Sequence, residues 1–248
     1  MTEEITDFGA RDVTAADKTR LVEEVFRSVA GRYDLMNDLM SFGVHRLWKR
    51  YALWRLAPRP GERILDLAGG TGDMSRLLHP RIGEAGRVVL ADINDAMLAI
   101  GRDRMIDCGI VKGVCYARAN AERLPFAEAS FDAVCIAFGL RNVARKSACL
   151  EEMHRVLKPG GRALVLEFSR VIVPLLARLY DEYSFRVIPE LGRRVAGDAG
   201  SYRYLVESIR RHPDQEALRD MMVAAGFDRV GYQNLSGGIV ALHMGYRF

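Results

Sequence analysis

The stretch ILDLAGGTGD, residues 64–73, decides how the rest of the chain is read. An apolar strand carrying an acid, Asp66, near its end runs into a turn almost free of side chains and then into a helix. Glycine there lets backbone N–H groups approach a ligand that side chains would keep away. Asp66, Gly69, Gly70, Thr71 and Gly72 therefore mark a nucleotide-like site. Tight strand–helix turns also use glycine for packing alone, so the turn needs its context.

Downstream, short apolar runs alternate with helical stretches. Strands are predicted at 63–67, 87–92, 113–119, 129–139 and 162–169, and helices at 93–109 and 146–161. Asn94 caps the first of these helices and Gly109 stops it. Strands apolar on both faces, alternating with helices, predict a mostly parallel sheet covered by helices.

Upstream, Leu21, Val22, Val25, Phe26 and Val29 recur at helical spacing within 15–30, and a second helix spans about 45–56. Residues 1–14 read as a flexible polar tail. After Ser169 the rhythm breaks. VIVPLLARLYDEYSF (171–185) carries a helical apolar stripe, GRRVAGDAG (192–200) reads as a linker, and SYRYLVESIR (201–210) opens a helix. A helix at 213–227 and two strands joined by a tight turn complete the pattern. The expected organisation is one domain, 15–248, with a helical lid at 15–57 and a helical insertion at 170–212 capping the substrate.

Among 248 residues, 36 Lys and Arg against 32 Asp and Glu give a net charge of +4, well mixed along the chain. Nucleic-acid binders concentrate basic charge, so this composition points away from them. Arg46, Lys49, Arg50 and Arg55 do cluster; they read either as a solvated helix face or as an attraction to an anionic membrane surface. Cys108, Cys115, Cys135 and Cys149 have no CxxC spacing, and the five histidines are scattered. No metal site is expected, and a reducing cytoplasm fits. The acidic N-terminus is unlike a secretion or transit signal, and no apolar run approaches the roughly 20 residues of a spanning helix.

A dinucleotide fingerprint wants GxGxxG; here Gly70 and Gly72 are followed by Ser75, so the third glycine is missing. The next strand ends in Asp92, twenty residues beyond Gly72, where an acid takes a ribose diol. Two ligands stay open: NAD with a degraded fingerprint, or S-adenosylmethionine, which has no pyrophosphate to cradle. For the latter, Asp92 with neighbouring Ile93 would serve the ribose, and Asn120 and Ala121 in NAERLPF would flank adenine. Asp66 would orient the turn or attract the methionine ammonium.

Set in a row, ILDLAGGTGD, VVLADINDAML, ANAERLPF, CIAFGLRNV, HRVLKPGGRALVLEFS, DEYSF, SYRYLVESIRRHPDQEAL and GGIVALHMGYRF resemble the C-methyltransferase family of ubiquinone and menaquinone biosynthesis. The likeness runs from residue 30 to the end. It implies a Rossmann-like class I methyltransferase fold: a seven-stranded, mostly parallel α/β sheet with an antiparallel C-terminal hairpin. It also implies transfer of a methyl group from S-adenosyl-L-methionine to a ring carbon of a polyprenylated quinol, leaving S-adenosyl-L-homocysteine. The acceptor would be a 2-polyprenyl-6-methoxybenzoquinol, demethylmenaquinol or both. Thr71, Asp92, Asn120 and Ala121 would contact the cofactor, as in the family. Ala137 stands where the family often has serine, which removes one hydroxyl but leaves the backbone contact.

Such a reaction needs a base, or a donor that stabilises a developing phenolate. Arg141 is the first candidate, with Asn142 orienting a water or the ring oxygens. Tyr33 and Asp34 would sit in a lid, Asp34 as a candidate base. Asn37, Tyr180, Asp181, Tyr183, Tyr202 and Tyr204 are candidates for the quinol wall, although aromatic packing alone explains the tyrosines. LMNDLM (35–40) and VIVPLLARLY (171–180) would offer the prenyl tail an apolar groove. Transient association with the inner membrane surface or with other quinone-biosynthesis enzymes fits this picture, as does a homodimer. The competing readings are a methyltransferase of another phenolic or lipid acceptor, an NAD-dependent oxidoreductase, and a non-catalytic binding module.

Overall fold

The computed structural model describes residues 5–29, 37–38, 41, 43–183 and 199–248. At its centre, strand β3 (Arg63–Leu67) leads into the glycine turn, and β4 (Arg87–Asp92), β5 (Val114–Arg118), β6 (Phe131–Ala137) and β7 (Leu157–Phe168) pair parallel around it. The strands β8 (Asp228–Leu235) and β9 (Val240–Tyr246) add an antiparallel hairpin. The sheet order is β5-β4-β3-β6-β7-β9-β8. Order reverses between β3 and β6, and open α/β sheets bind ligands in the crevice beyond the strand ends at such a point.

Alternation along the strands divides the core in two. Ile64, Val88, Ala133 and Leu164 pack to one side with α2 (His45–Leu56), α3 (Asp73–Ile82) and α7 (Ala199–Arg211). Leu65, Val89, Val134 and Val165 pack to the other with α5 (Lys146–Val156) and α8 (Gln215–Ala224). Helix α1 (Ala15–Val29) closes over the strand ends, α4 (Asp95–Asp107) follows β4, and α6 (Pro174–Glu182) follows β7.

Two expectations require correction. Residues 5–14 are not a tail: β1 (Ile5–Phe8) and β2 (Arg11–Thr14) form an antiparallel hairpin. Phe8 stacks on Tyr204 at 4.3 Å, and Asp7 pairs with the buried Lys18 at 3.2 Å. Burial holds the Lys18 ammonium down at about 8. Helix α5 also stops at Val156 rather than 161. Pro159 has no N–H to continue it, and the backbone from Leu157 is already extended. Gly160 and Gly161 instead exchange backbone hydrogen bonds with Arg247.

Candidate active site

The glycine turn opens at the tips of β3 and β4. Asp92 ends β4, and both of its carboxylate oxygens are engaged by backbone: Gly70 N–H donates to Oδ2 and Asn94 N–H to Oδ1, each at 2.9 Å. Burial nevertheless pushes this carboxyl up to about 6, with the N–H donors opposing the shift. Asn94 caps α4 through its side-chain oxygen and donates from Nδ2 to the Glu23 carbonyl at 3.1 Å, which ties α1 to the site.

Around Asp92 lies a cleft enclosing about 740 Å³, part of it open to solvent. Gly70, Ile93, Asn120 and Ala121 line it, and so does Asn142. Its floor is apolar, with Leu67, Met97, Ala119 and Phe138, and α1 roofs it with Thr19, Val22, Glu23 and Phe26. Two lining residues hold left-handed backbone that only glycine adopts freely, Ala68 at φ +49° and Phe138 at φ +59°. Strain of this kind persists only where the surroundings over-determine it, and it clusters at functional sites.

The remaining cofactor candidates sit behind the turn. Asp66 is wholly buried and its Oδ2 accepts from the backbone and the hydroxyl of Ser75 at 2.8 and 2.7 Å. It thus ties the end of β3 to the first turn of α3, and burial raises it to about 6. Gly72 has φ +82°, backbone that an L side chain adopts only under strain, and a Cβ there would also push on the tips of Met105 at 2.8 Å and Leu90 at 2.9 Å. Thr71 and Gly72 border a separate polar groove with Lys49, whose ammonium pairs with Asp73 at 2.7 Å. Ala137 closes β6 just before the cleft but is not part of its lining.

Arg141 is wholly buried. Its Nη1 donates to the Phe138 carbonyl at 2.6 Å and to Glu167 Oε1 at 2.8 Å, and its guanidinium lies 5.3 Å from the Phe168 ring centre. Nε and Nη2 have no partner within the described protein. Asn142 does reach the cleft, and Tyr204 donates to its Oδ1 at 3.1 Å.

The tyrosines expected to wall the quinol stand outside the lining of the cleft at Asp92. Tyr204 stacks on Phe8, Tyr180 and Tyr202 are buried, Tyr183 packs against the core, and none of them lines the cleft. Asn37 is buried and its carbonyl accepts from Ser41 at 2.6 Å. Tyr33 and Asp34 lie outside the described residues; Asp181 belongs to α6, and its side chain lies outside them. Among the described residues, no group of three or more His, Cys, Asp or Glu side chains is placed to hold a metal.

Several participants were not anticipated. The α1 face is visible in sequence as Thr19, Val22, Glu23 and Phe26 at helical spacing, but nothing local says what it covers. Glu167 is signalled only by an acid inside the apolar run ending β7.

Residues 13–247 match the ubiE/COQ5 methyltransferase family. The chain belongs to that family. A ubiquinone/menaquinone biosynthesis C-methyltransferase UbiE of Edwardsiella ictaluri is 59% identical over 247 residues, covering 100% of this chain and 98% of its own. The protein of that name from Proteus mirabilis is 56% identical over 245 residues, covering 99% and 98%. Among solved structures, a SAM-dependent methyltransferase from Aquifex aeolicus superposes with a TM-score of 0.63 at 17% identity, covering 86% of this chain and 97% of that one. A putative methyltransferase bound to the Trm112 activator of Haloferax volcanii gives 0.65 at 18%, covering 91% and 96%. At such identities the likeness concerns the fold, which is the class I methyltransferase sheet with a C-terminal antiparallel hairpin. The ubiE/COQ5 assignment rests on the sequence relatives.

Proposed function

We propose that the cleft at Asp92 holds S-adenosyl-L-methionine and that the GLRNV segment activates the quinol beside it. The chain is an S-adenosyl-L-methionine-dependent C-methyltransferase of quinone biosynthesis, acting on a ring carbon of a polyprenylated quinol. The carrying observation is Asp92. It is a carboxylate at the tip of the second parallel strand, both oxygens fixed by N–H donors, bordering a cleft beyond the strand ends.

The residues present fit an adenosyl ligand. Each Asp92 oxygen keeps a lone pair for a ribose hydroxyl. Ile93, Met97 and Ala119 offer apolar surface to adenine, and Asn120 and Ala121 offer amide and backbone groups at its edge. Gly70 leaves room for the amino-acid portion, and Asp66 with Ser75 fixes the turn that carries it. When bound, the sulfonium supplies a methyl group that is already activated.

The protein's own task is to make the acceptor carbon nucleophilic. A guanidinium with a pKa above about 12 is no base, so Arg141 acts as a donor. Its Nε and Nη2 lack a protein partner but are buried behind the cleft lining, so they would stabilise negative charge on a quinol oxygen only through an opening beside Asn142, while Glu167 and the Phe138 carbonyl hold Nη1 still. Asn142, with Oδ1 held by Tyr204, presents its Nδ2 as a donor to the acceptor or to a water. Tyr33, Asp34, Asn37 and Asp181 stay in the proposal as lid and wall residues. A prenyl tail would add roughly 0.8 kcal/mol for each methylene it buries, which favours work at a bilayer surface in the cytoplasm.

Calorimetry with S-adenosylhomocysteine tests the cofactor reading: Asp92→Ala should lose binding by about two orders of magnitude, from loss of hydrogen bonds to a charged group. Unchanged affinity, or heat with NADH instead, would overturn it. Assaying purified protein with benzoquinol and naphthoquinol acceptors, followed by mass analysis of the products, settles the ring.

A further inference from the structure

The described helices include none long and apolar enough to cross a membrane, yet α2 carries an amphipathic face turned away from the protein. His45, Trp48, Lys49, Ala52, Leu53 and Leu56 are buried. On the opposite half Arg46, Leu47, Arg50 and Trp54 are exposed, Trp54 at 68% and Leu47 at 60%, while Tyr51 and Arg55 are half-buried at its border. At about 100° per residue, Arg46, Arg50, Trp54, Leu47, Tyr51 and Arg55 follow one another around about half of the helix. Leu47, Tyr51 and Trp54 thus form an apolar stripe with Arg46 and Arg50 along one edge and Arg55 along the other. Tyr51 and Trp54 rings lie 5.5 Å apart, and the Arg55 guanidinium is 6.0 Å from the Trp54 ring centre.

The stripe has a neighbour. Trp48 Nε1 donates to Ser236 Oγ at 3.0 Å and Tyr51 donates to Gln233 Oε1 at 2.7 Å, so α2 leans on the β8–β9 connection. On that connection, Ile172 N–H donates to the Gly237 carbonyl at 2.9 Å. Ile172, Val173 and Leu175 there are 56%, 44% and 69% accessible. Two exposed apolar groups therefore flank one turn, which is more than scattered surface leucines provide.

We propose that this face, the outer side of α2 together with residues 172–175, docks the protein on an anionic phospholipid surface. Charge complementarity selects the occupant. Arginines rimming an aromatic and aliphatic stripe are what an interfacial helix needs: the stripe enters the acyl boundary while the guanidinium groups stay at the phosphates. Of the rim, Arg46 is partly neutralised by Asp38 at 2.8 Å. The nearby groove adds Arg76 and Arg104, against the acids Asp73 and Asp107. The motive for docking rests on the polyprenyl acceptor; the contact itself does not.

Flotation of the full chain with acceptor-free vesicles separates the two. Phosphatidylcholine vesicles containing phosphatidylglycerol should bind the protein, with binding weakened by salt, and pure phosphatidylcholine should bind it poorly. Trp54 emission should shift to the blue on binding, because Trp48 is buried already. Leu47→Glu and Trp54→Glu should each weaken vesicle binding about tenfold or more, the loss expected from withdrawing one large apolar side chain. Both variants should melt as the parent does and keep full turnover on a short-tailed, water-soluble quinol. Equal vesicle binding by parent and variants would overturn the proposal. So would absent binding, or a dimer in sedimentation that Trp54→Glu dissolves, since the face would then belong to a second copy. Failure of turnover on the short acceptor would count against the catalytic reading instead.

Discussion

Tyr204 donates its hydroxyl proton to Oδ1 of Asn142 at 3.1 Å while its ring stacks on Phe8 at 4.3 Å, so a residue of α7 fixes a side chain that lines the cleft. Its phenol is buried, which holds it protonated as a donor. Tyr204→Phe keeps the stack and loses only this bond. It should lower kcat severalfold, leave the KM for the methyl donor unchanged, and cost stability only about 1 kcal/mol. Steady-state kinetics beside a melting curve reads both, and an unaltered kcat would show that Asn142 needs no such guide.

In the proposed complex Asp92 would set the pH dependence of cofactor binding. Ribose hydroxyls would donate to the ionised carboxylate, which burial in the unliganded fold pushes up to about 6. Affinity for S-adenosylhomocysteine should hold steady above about pH 7 and fall about tenfold per unit below pH 6. The sign reverses for the unliganded fold. Asp92 and Asp66 are both raised above the ordinary 3.8. Their contribution to stability is therefore full below that value and is lost as pH rises through about 6. Ligand-induced shifts in Tm should shrink from pH 8 to pH 5; constant shifts would remove Asp92 from the ribose.

The pair Arg141–Glu167 is buried on both sides, at 0% and 1% accessibility. Glu167→Ala strands a guanidinium in the core and should cost about 3–5 kcal/mol. Replacing both partners, as in Arg141→Met with Glu167→Leu, should recover most of that loss in denaturant unfolding while turnover stays abolished. A double variant that still methylates would mean that Arg141 has only a packing role.

Beyond its own β1–β2 pairing, the N-terminal hairpin is held to the fold by side-chain contacts. Phe8→Ala removes the stack on Tyr204 and should cost about 3 kcal/mol, within the usual range for a buried phenylalanine. Hydrogen exchange should then rise in residues 5–14 and in the adjoining 140–146 segment, where Thr6 donates to the Ala144 carbonyl at 3.1 Å. Central strands should keep their protection. Unchanged exchange at Asn142 would uncouple the hairpin from the site.

The readable parts of this chain are those whose physics is local. Uninterrupted apolar runs marked β3, β4 and β6, the acid at the end of β4 stood out against them, and Asn94 announced its helix by chemistry that caps require. The hairpin at 5–14 was missed because its strands are short and polar; Phe8 and Asp7 gain their partners from α7 and α1. Glu167 and Tyr204 are likewise defined by residues distant in sequence. Tyr180, Tyr183, Tyr202 and Tyr204 stay candidates for the quinol wall, because burial and ligand contact demand the same side chains. The segment 158–161 differs in another way: Pro-Gly-Gly reads as the end of a helix, but here it forms an irregular, bulged start to β7, with Gly160 at φ +82°.

The ladder order carries a consequence for synthesis. β8 leaves the ribosome before β9, yet among the described strands β9 is its sole ladder partner and also the strand that covers the edge of β7. Until β9 arrives, β7 offers a bare apolar edge and β8 has nothing to pair with. A nascent chain in that interval presents the kind of unpaired strand that invites misassembly with its neighbours. Chaperone dependence should therefore peak late in translation, after the cofactor cleft has already taken shape.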